Sequence, residues 1–210
     1  MNILAIECSQ PSASLCLSSD GDIKFSTEWE TARNHDSFLF PALENALSVL
    51  ATDKLDIVLV GAGPGSYGGV RVALAAAVGI ATVKKAQVVA IGSWNSLATD
   101  GAAIISDARR GGWTIRYPEG EISVLSTEEL QKKIEQGLLV HSIENSELLT
   151  DKGISVAKSG LLPTATGLVD SWLQLSSEQQ AALADKPAEP IYVRPPHITE
   201  AKRKPWEISH

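Results

Sequence analysis

Residues 61–71, GAGPGSYGGVR, constrain this chain more than any other stretch. They follow an apolar run at 56–60 and lead into VALAAAVGIATV at 72–83, so the residues read as strand, glycine turn, helix. Glycines admit positive φ and let a second backbone come into contact, and a helix amino terminus leaves N–H groups that favour anions. Gly63, Gly65, Ser66 and Arg71 are therefore candidate contacts for a phosphate. The plainer reading is a tight turn that lets the helix lie close on its sheet. The Lys-Ser/Thr pair of a P-loop is missing after the last glycine. Gly63, Gly65 and Gly68 do have G-x-G-x-x-G spacing, but the strand expected at 88–91 ends in Gly92 and Ser93, where a dinucleotide site needs an acidic residue for the ribose.

A chain of 210 residues with 44% hydrophobic content can bury one large core or two modest ones. It opens on strand-like MNILAIE, and no apolar run reaches the roughly eighteen residues of a membrane span, so a cytoplasmic protein without a membrane contact is expected. Cys8 and Cys16 sit in apolar, strand-like segments, the setting of reduced core thiols. A net charge of −7 argues against broad electrostatic capture of nucleic acid.

Strands are expected at 1–7, 12–17 and 22–29, with Asp20-Gly21 as a hairpin turn. Asn34 or Asp36 can cap a helix to Leu50, with Leu39, Leu43, Ala46, Leu47 and Leu50 on one stripe and Pro41 set to kink it or delay its start. A strand at 56–60, a helix at 70–83, a strand at 88–91 and a short helix from Ser93 complete a βββαβαβα order. The second half starts again with strands at 103–106, 113–117 and 121–125, a helix from Thr127, a strand at 138–141, a polar segment, a strand at 154–157 and a helix from Pro163 to about Leu173. This repetition of element order predicts an α/β fold of two stacked lobes, 1–102 and 103–210, hinged near 100–103. Residues 187–210 hold five of the ten prolines and the basic cluster Lys202, Arg203 and Lys204, and read as an extended terminus.

The motifs ILAIECS (3–9), RNHDSFLFPAL (33–43), GPGSYGGVRVALAAAVGIA (63–81), DARRGG (107–112) and YVRPP (192–196) resemble the TsaB (YeaZ) family. The resemblance implies two actin-like lobes of the ASKHA, ribonuclease H-like kind, each with a mixed five-stranded sheet. It also implies a non-catalytic scaffold role in forming N6-threonylcarbamoyladenosine beside the anticodon of ANN-decoding tRNAs. The implied partners are TsaD, which would carry the ATP and metal, TsaE through the TsaB–TsaD complex, tRNA indirectly, and a second copy when TsaD is absent. An ATP-dependent phosphotransferase of the actin-like group is the alternative. Glu7 stands where the family has Asp and Gly69 where Thr is common, which disfavours a nucleotide contact by this chain.

The TsaD metal pair is HxxxH, and the matching residues 93–97 are Ser, Trp, Asn, Ser and Leu. His35, His141, His197 and His210 show no such spacing, so no metal and no catalytic residue is expected in this chain. The zinc-protease H-E-x-x-H and the serine elbow G-x-S-x-G are missing as well. Glu7, Cys8 and Ser9 read as a vestigial phosphate loop. Asp107, Arg109 and Arg110 read either as an anion site or as a surface turn. Trp94, Trp113, Trp172 and Trp206 form no stacking pattern for single-stranded RNA. The helix after the glycine turn is apolar nearly all round, which calls for cover on two sides. The sheet supplies one, and a partner the other. The expected interface is Leu39, Leu43, Leu47, Arg71, Ala73, Leu74, Ala77 and Val78, with Leu74, Ala75 and Val78 on one face of the helix and Ala73, Ala77 and Ile80 on another.

Overall fold

The computed structural model describes residues 1–30, 35–51, 53–97, 99–108 and 111–193, without the side chains of 35–37. Strands β1 (Asn2–Glu7), β2 (Ser12–Ser19) and β3 (Asp22–Glu30) are antiparallel neighbours, and β1 pairs in parallel with β4 (Ile57–Gly61), which pairs in parallel with β5 (Gln87–Ile91). The sheet order is β3-β2-β1-β4-β5. Because β1 and β4 are covered on both faces, they read as unbroken apolar runs rather than alternating ones. Leu4, Ile6, Val58 and Val60 face one layer; Ile3, Ala5, Ile57 and Leu59 face the other.

The first layer is made by α1 (His35–Leu50) and α2 (Tyr67–Lys84). Helix α1 continues through Pro41, and its expected caps, Asn34 and the Asp36 side chain, lie outside the described residues. Helix α2 starts three residues earlier than the sequence suggests, because the Ser66 hydroxyl accepts from the Gly69 N–H and so caps its first turn. Its length and mean hydropathy of 1.2 would suffice for a membrane span, yet its Ala73, Leu74, Ala77 and Ala81 are buried on the sheet as in an interior helix.

The second sheet contains β6 (Ala103–Asp107), β7 (Gly112–Arg116), β8 (Ile122–Ser126) and β9 (Val140–Ser142) in the order β8-β7-β6-β9. Among the described residues it has four strands rather than the expected five. Residues 154–157 do not form a strand: after Gly153, at φ +65°, the chain meets β9 at an isolated bridge between His141 and Lys158, flanked by hydrogen bonds from the Ala157 N–H to the Val140 carbonyl (2.9 Å) and from the Ser142 N–H to the Lys158 carbonyl (2.8 Å). Helix α3 (Thr127–Glu135) covers this sheet through Leu130. The polar segment after β9 folds as α4 (Ser146–Asp151), capped by the Asn145 side chain on the Leu148 N–H.

The chain then returns to the first sheet. Helix α5 (Ala165–Gln174) lays Ala165, Leu168, Val169 and Trp172 against Ile3, Ala5, Cys16, Ile57, Leu59 and Val89, and α6 (Ser177–Ala184) closes the edge of this layer through Leu183 and Ala184. Helix α6 starts at a capping box of Ser176 and Gln179. Two hydrogen bonds fix the return, from the Ala165 N–H to Ser14 Oγ (2.8 Å) and from the Thr164 N–H to Ser96 Oγ (3.3 Å).

Trp172 is therefore a keystone of the first sheet's second layer although it lies far along the chain. Trp172→Ala is expected to lower stability by about 3–5 kcal/mol, the range for truncating a buried aromatic. The shift in a urea-denaturation midpoint measures it.

Candidate functional site

The glycine turn places two loops in backbone contact. The Ser66 N–H donates to the Ser9 carbonyl (2.6 Å), and a Cβ on Gly65 would collide with the same carbonyl oxygen. Gly63, at φ +92°, turns the chain so that its own N–H meets Ser93 Oγ (2.9 Å) and its carbonyl accepts from the Ser93 N–H (2.7 Å). These close approaches account for Gly63 and Gly65. Gly68 has open space where a side chain would stand.

Glu7 ends β1 directly beneath this turn and is fully buried. The Ser9 N–H donates to its Oε1 (2.6 Å), whereas Oε2 has no hydrogen-bond partner among the described residues. The carboxyl fills a notch left by Gly61, where a Cβ would fall on Oε2. Burial raises the Glu7 pKa above its ordinary value, against the opposing pull of the Ser9 and Ser93 hydroxyls and the Ser9 N–H. A carboxyl turned inward in this way is a packing and hydrogen-bonding group, not a ligand offered to solvent. Cys8 and Cys16 are free and buried, and burial pushes both thiols up to about 12, far from a reactive thiolate.

The other anion candidate is only partly described. Arg109 and Arg110 lie outside the described residues, as do His197, His210, Lys202, Arg203, Lys204 and Trp206. Asp107 meets Lys152 Nζ at 3.8 Å, and its N–H, together with the Ser106 hydroxyl, donates to Glu144 Oε1 (2.9 and 2.7 Å). This network ties the end of β6 to the loop after β9. Trp94, Trp113 and Trp172 are buried in cores, so their rings are not open to a base. His141 is buried as well, and burial lowers its pKa. Among the described residues no three His, Cys, Asp or Glu side chains converge as a metal site.

The expected interface divides in two. Leu39, Ala73, Leu74 and Ala77 are core residues, held against Leu4, Ile6, Val58 and Val60, and Leu43 is buried with them. The split of helix faces is corrected accordingly: Leu74 points inward with Ala73 and Ala77, because the sheet occupies the side where those rows meet. Outside it, α1 and α2 leave a groove of about 910 Å³ lined by Phe40, Leu43, Leu47, Val72, Ala76 and Ile80, together with the exposed Ala75 and Gly79. Phe40 is 58% exposed, and nothing among the described residues covers it. Val78, 48% exposed, lies beside the groove rather than in its lining. Arg71 stands outside it near the start of α2, where its guanidinium lies 5.0 Å from the centre of the Tyr67 ring and its Nη1 donates to the Tyr67 hydroxyl (2.9 Å). The sequence signal that locates the groove is the run of small residues at 75, 76 and 79, which leaves a trough instead of a ridge.

A raised carboxyl pKa favours the fold while Glu7 is protonated. That contribution is complete below the unfolded value near 4.5 and is lost as pH rises through the higher folded value. Glu7→Gln keeps the acceptor for Ser9 and removes the charge, so it is expected to stabilise the protein by about 1–3 kcal/mol at pH 8, the scale of an unpaired buried polar group. The gain should shrink to nothing near pH 4. Melting temperatures across that range check both the sign and the slope.

Residues 29–112, which carry α1, the glycine turn and α2, match the family model of TsaD, tRNA N6-adenosine threonylcarbamoyltransferase. The curated Escherichia coli (strain K12) tRNA threonylcarbamoyladenosine biosynthesis protein TsaB is 26% identical over 92% of this chain and 95% of its own length. YeaZ from Pseudomonas aeruginosa shares the fold at a TM-score of 0.68 and 22% identity, over 91% of this chain and 99% of that one. A second Pseudomonas aeruginosa structure, described as an uncharacterized protein with similarity to peptidase YEAZ, gives a TM-score of 0.70 at 22% identity, over 92% and 99%. The solved structures speak for the fold; the near full-length curated relative and the match across the glycine turn and its helices make this chain similar to the TsaB/YeaZ proteins.

Proposed function

We propose that this chain is a non-catalytic scaffold in tRNA threonylcarbamoyladenosine biosynthesis and that it acts by holding TsaD in the groove between α1 and α2. The exposed apolar groove carries this reading. An open trough of small and aliphatic side chains, with an aromatic at its rim, suits a helix from another protein. The occupant follows from the family-model match: the residues that build the groove here are those that resemble TsaD, so TsaD offers a similar helix pair. Two like helix pairs can meet about a pseudo-twofold axis, each laying its ridge in the other's trough. By the same argument a second copy of this chain takes the place of TsaD when TsaD is absent.

The catalytic groups, the ATP and the metal then belong to TsaD, with TsaE and tRNA reached through the assembled complex. The inward-facing Glu7 supports this division, since its carboxyl occupies the Gly61 notch instead of facing a magnesium ion. A cytoplasmic location accords with that work.

Ala75 lines the groove and is exposed, whereas Ala73, two residues away, is in the core. Ala75→Arg is expected to keep the melting temperature within a few degrees and to weaken TsaD association by about 2–5 kcal/mol, the cost of an unpaired charge buried in an interface. Ala73→Arg should unfold the protein. Sedimentation of each variant mixed with TsaD separates the cases, and normal association of folded Ala75→Arg would remove the groove from the interface. Titration of the isolated chain with Mg-ATP should give no saturable heat; a saturable heat with turnover of an acceptor would favour the phosphotransferase.

A further inference from the structure

After α6 the chain crosses back over the glycine turn. The Ile191 N–H donates to the Ala62 carbonyl (2.8 Å), while the Ala62 N–H donates to the Ile91 carbonyl (2.8 Å). Ala62 thus links the end of β5 to residue 191. The Ile191 carbonyl oxygen sits 3.4 Å from the place where a Cβ on Gly63 would stand, and Ile191 Cδ1 sits 3.5 Å from the corresponding place on Gly92. Gly92 has φ −56°, which any residue can adopt, and the Ile191 methyl lies in van der Waals contact with it. Next along, the Tyr192 ring stacks on Tyr67 with centroids 5.5 Å apart and planes at 30°. Tyr67 is the first residue of α2, and it holds Arg71 from below. Ile191 and Tyr192 nevertheless remain 37% and 50% exposed, so the segment lies on the body rather than within it.

We propose that residues 190–193 are a detachable strap, that the glycine turn with Gly92 is its seat, and that seating it fixes the first turn of α2. Among the described residues it is held by one backbone hydrogen bond, one aliphatic anchor and the half-exposed Tyr192 ring with its hydroxyl on Tyr67, and a segment held so lightly opens locally without global unfolding. When the strap lifts, Tyr67 loses its stacking partner and Ala62 its outer hydrogen bond, and both lie at the entry to α2. The groove begins one turn further on, at Val72. Strap position therefore regulates how firmly the groove is presented to a partner, an effect that rests on the groove being the interface.

Hydrogen exchange on the full chain, compared between the natural protein and two variants, tests the strap. In the natural protein the residue 191 amide should be protected. Ile191→Asp and Tyr192→Ala should each speed its exchange by about tenfold or more, the mark of a lost local closure. The Gly69 and Val70 amides, which donate to Ser66, should speed up several-fold with it, while amides of β1 and β4 stay unchanged. Tyr192→Ala removes only a half-exposed ring, so it decides the matter if Ile191→Asp fails to fold. A residue 191 amide that exchanges at the free-peptide rate in the natural protein overturns the strap; faster exchange at 191 with Gly69 and Val70 unmoved overturns its hold on α2. Self-association measured by sedimentation should weaken several-fold in Tyr192→Ala. If it does not, although the exchange signature is present, the regulation is wrong and the groove reading stands; normal association of Ala75→Arg removes the groove reading and leaves the strap.

Discussion

The architecture turns on one close approach, the Ser66 N–H against the Ser9 carbonyl with Gly65 bare beneath it. This contact ties the loop after β1 to the loop after β4 and sets where α2 begins. From that start the Ser66 cap fixes the phase of the helix, so Ala73, Leu74, Ala77 and Ala81 fall on the sheet and Ala75, Ala76 and Gly79 fall outside. A side chain at Gly65 would force the two loops apart and turn or lift α2. The groove and the seat under Ile191 both depend on the same hinge of backbone.

Much of the first sheet was legible because its signals are local. The apolar runs of β1 and β4, the Asp20-Gly21 turn and the glycine stretch each declare themselves within a few residues. The second half was harder. Helix α4 has the sequence of a polar segment because only Leu149 of it is buried, leaving little apolar period to detect. Helix α6 has no fully buried residue, yet its Ser176 and Gln179 capping box was there to be read. Residues 154–157 have the composition of a strand, but Ile154 and Val156 pack on the second core and the chain pairs with β9 only around the single bridge of His141 with Lys158.

The interface residues show a different limit. Periodicity identifies rows on a helix but not which row the sheet will take, because that depends on where the cap sets the start. Leu74 and Val78 share a row and part company, one buried and the other half in solvent. Glu7 was singled out by its place in a motif, whereas its fit over Gly61 joins residues more than fifty positions apart and cannot be seen in either segment alone. The open groove between α1 and α2 is lined mainly by apolar side chains, in a chain whose net charge is −7.

The return of α5 and α6 to the first sheet has a consequence for synthesis. All five strands of that sheet have been synthesised by residue 91, yet Ile3, Ala5, Cys16, Ile57, Leu59, Val89 and Ile91 have no helices over them until residues 165–184 emerge. For the interval in which the second sheet is being made, the nascent chain carries a half-covered sheet with an apolar face open to water, the state most prone to sticking to other chains. Completion of this fold is therefore a late event, governed by the last helices to appear rather than by the strands that come first.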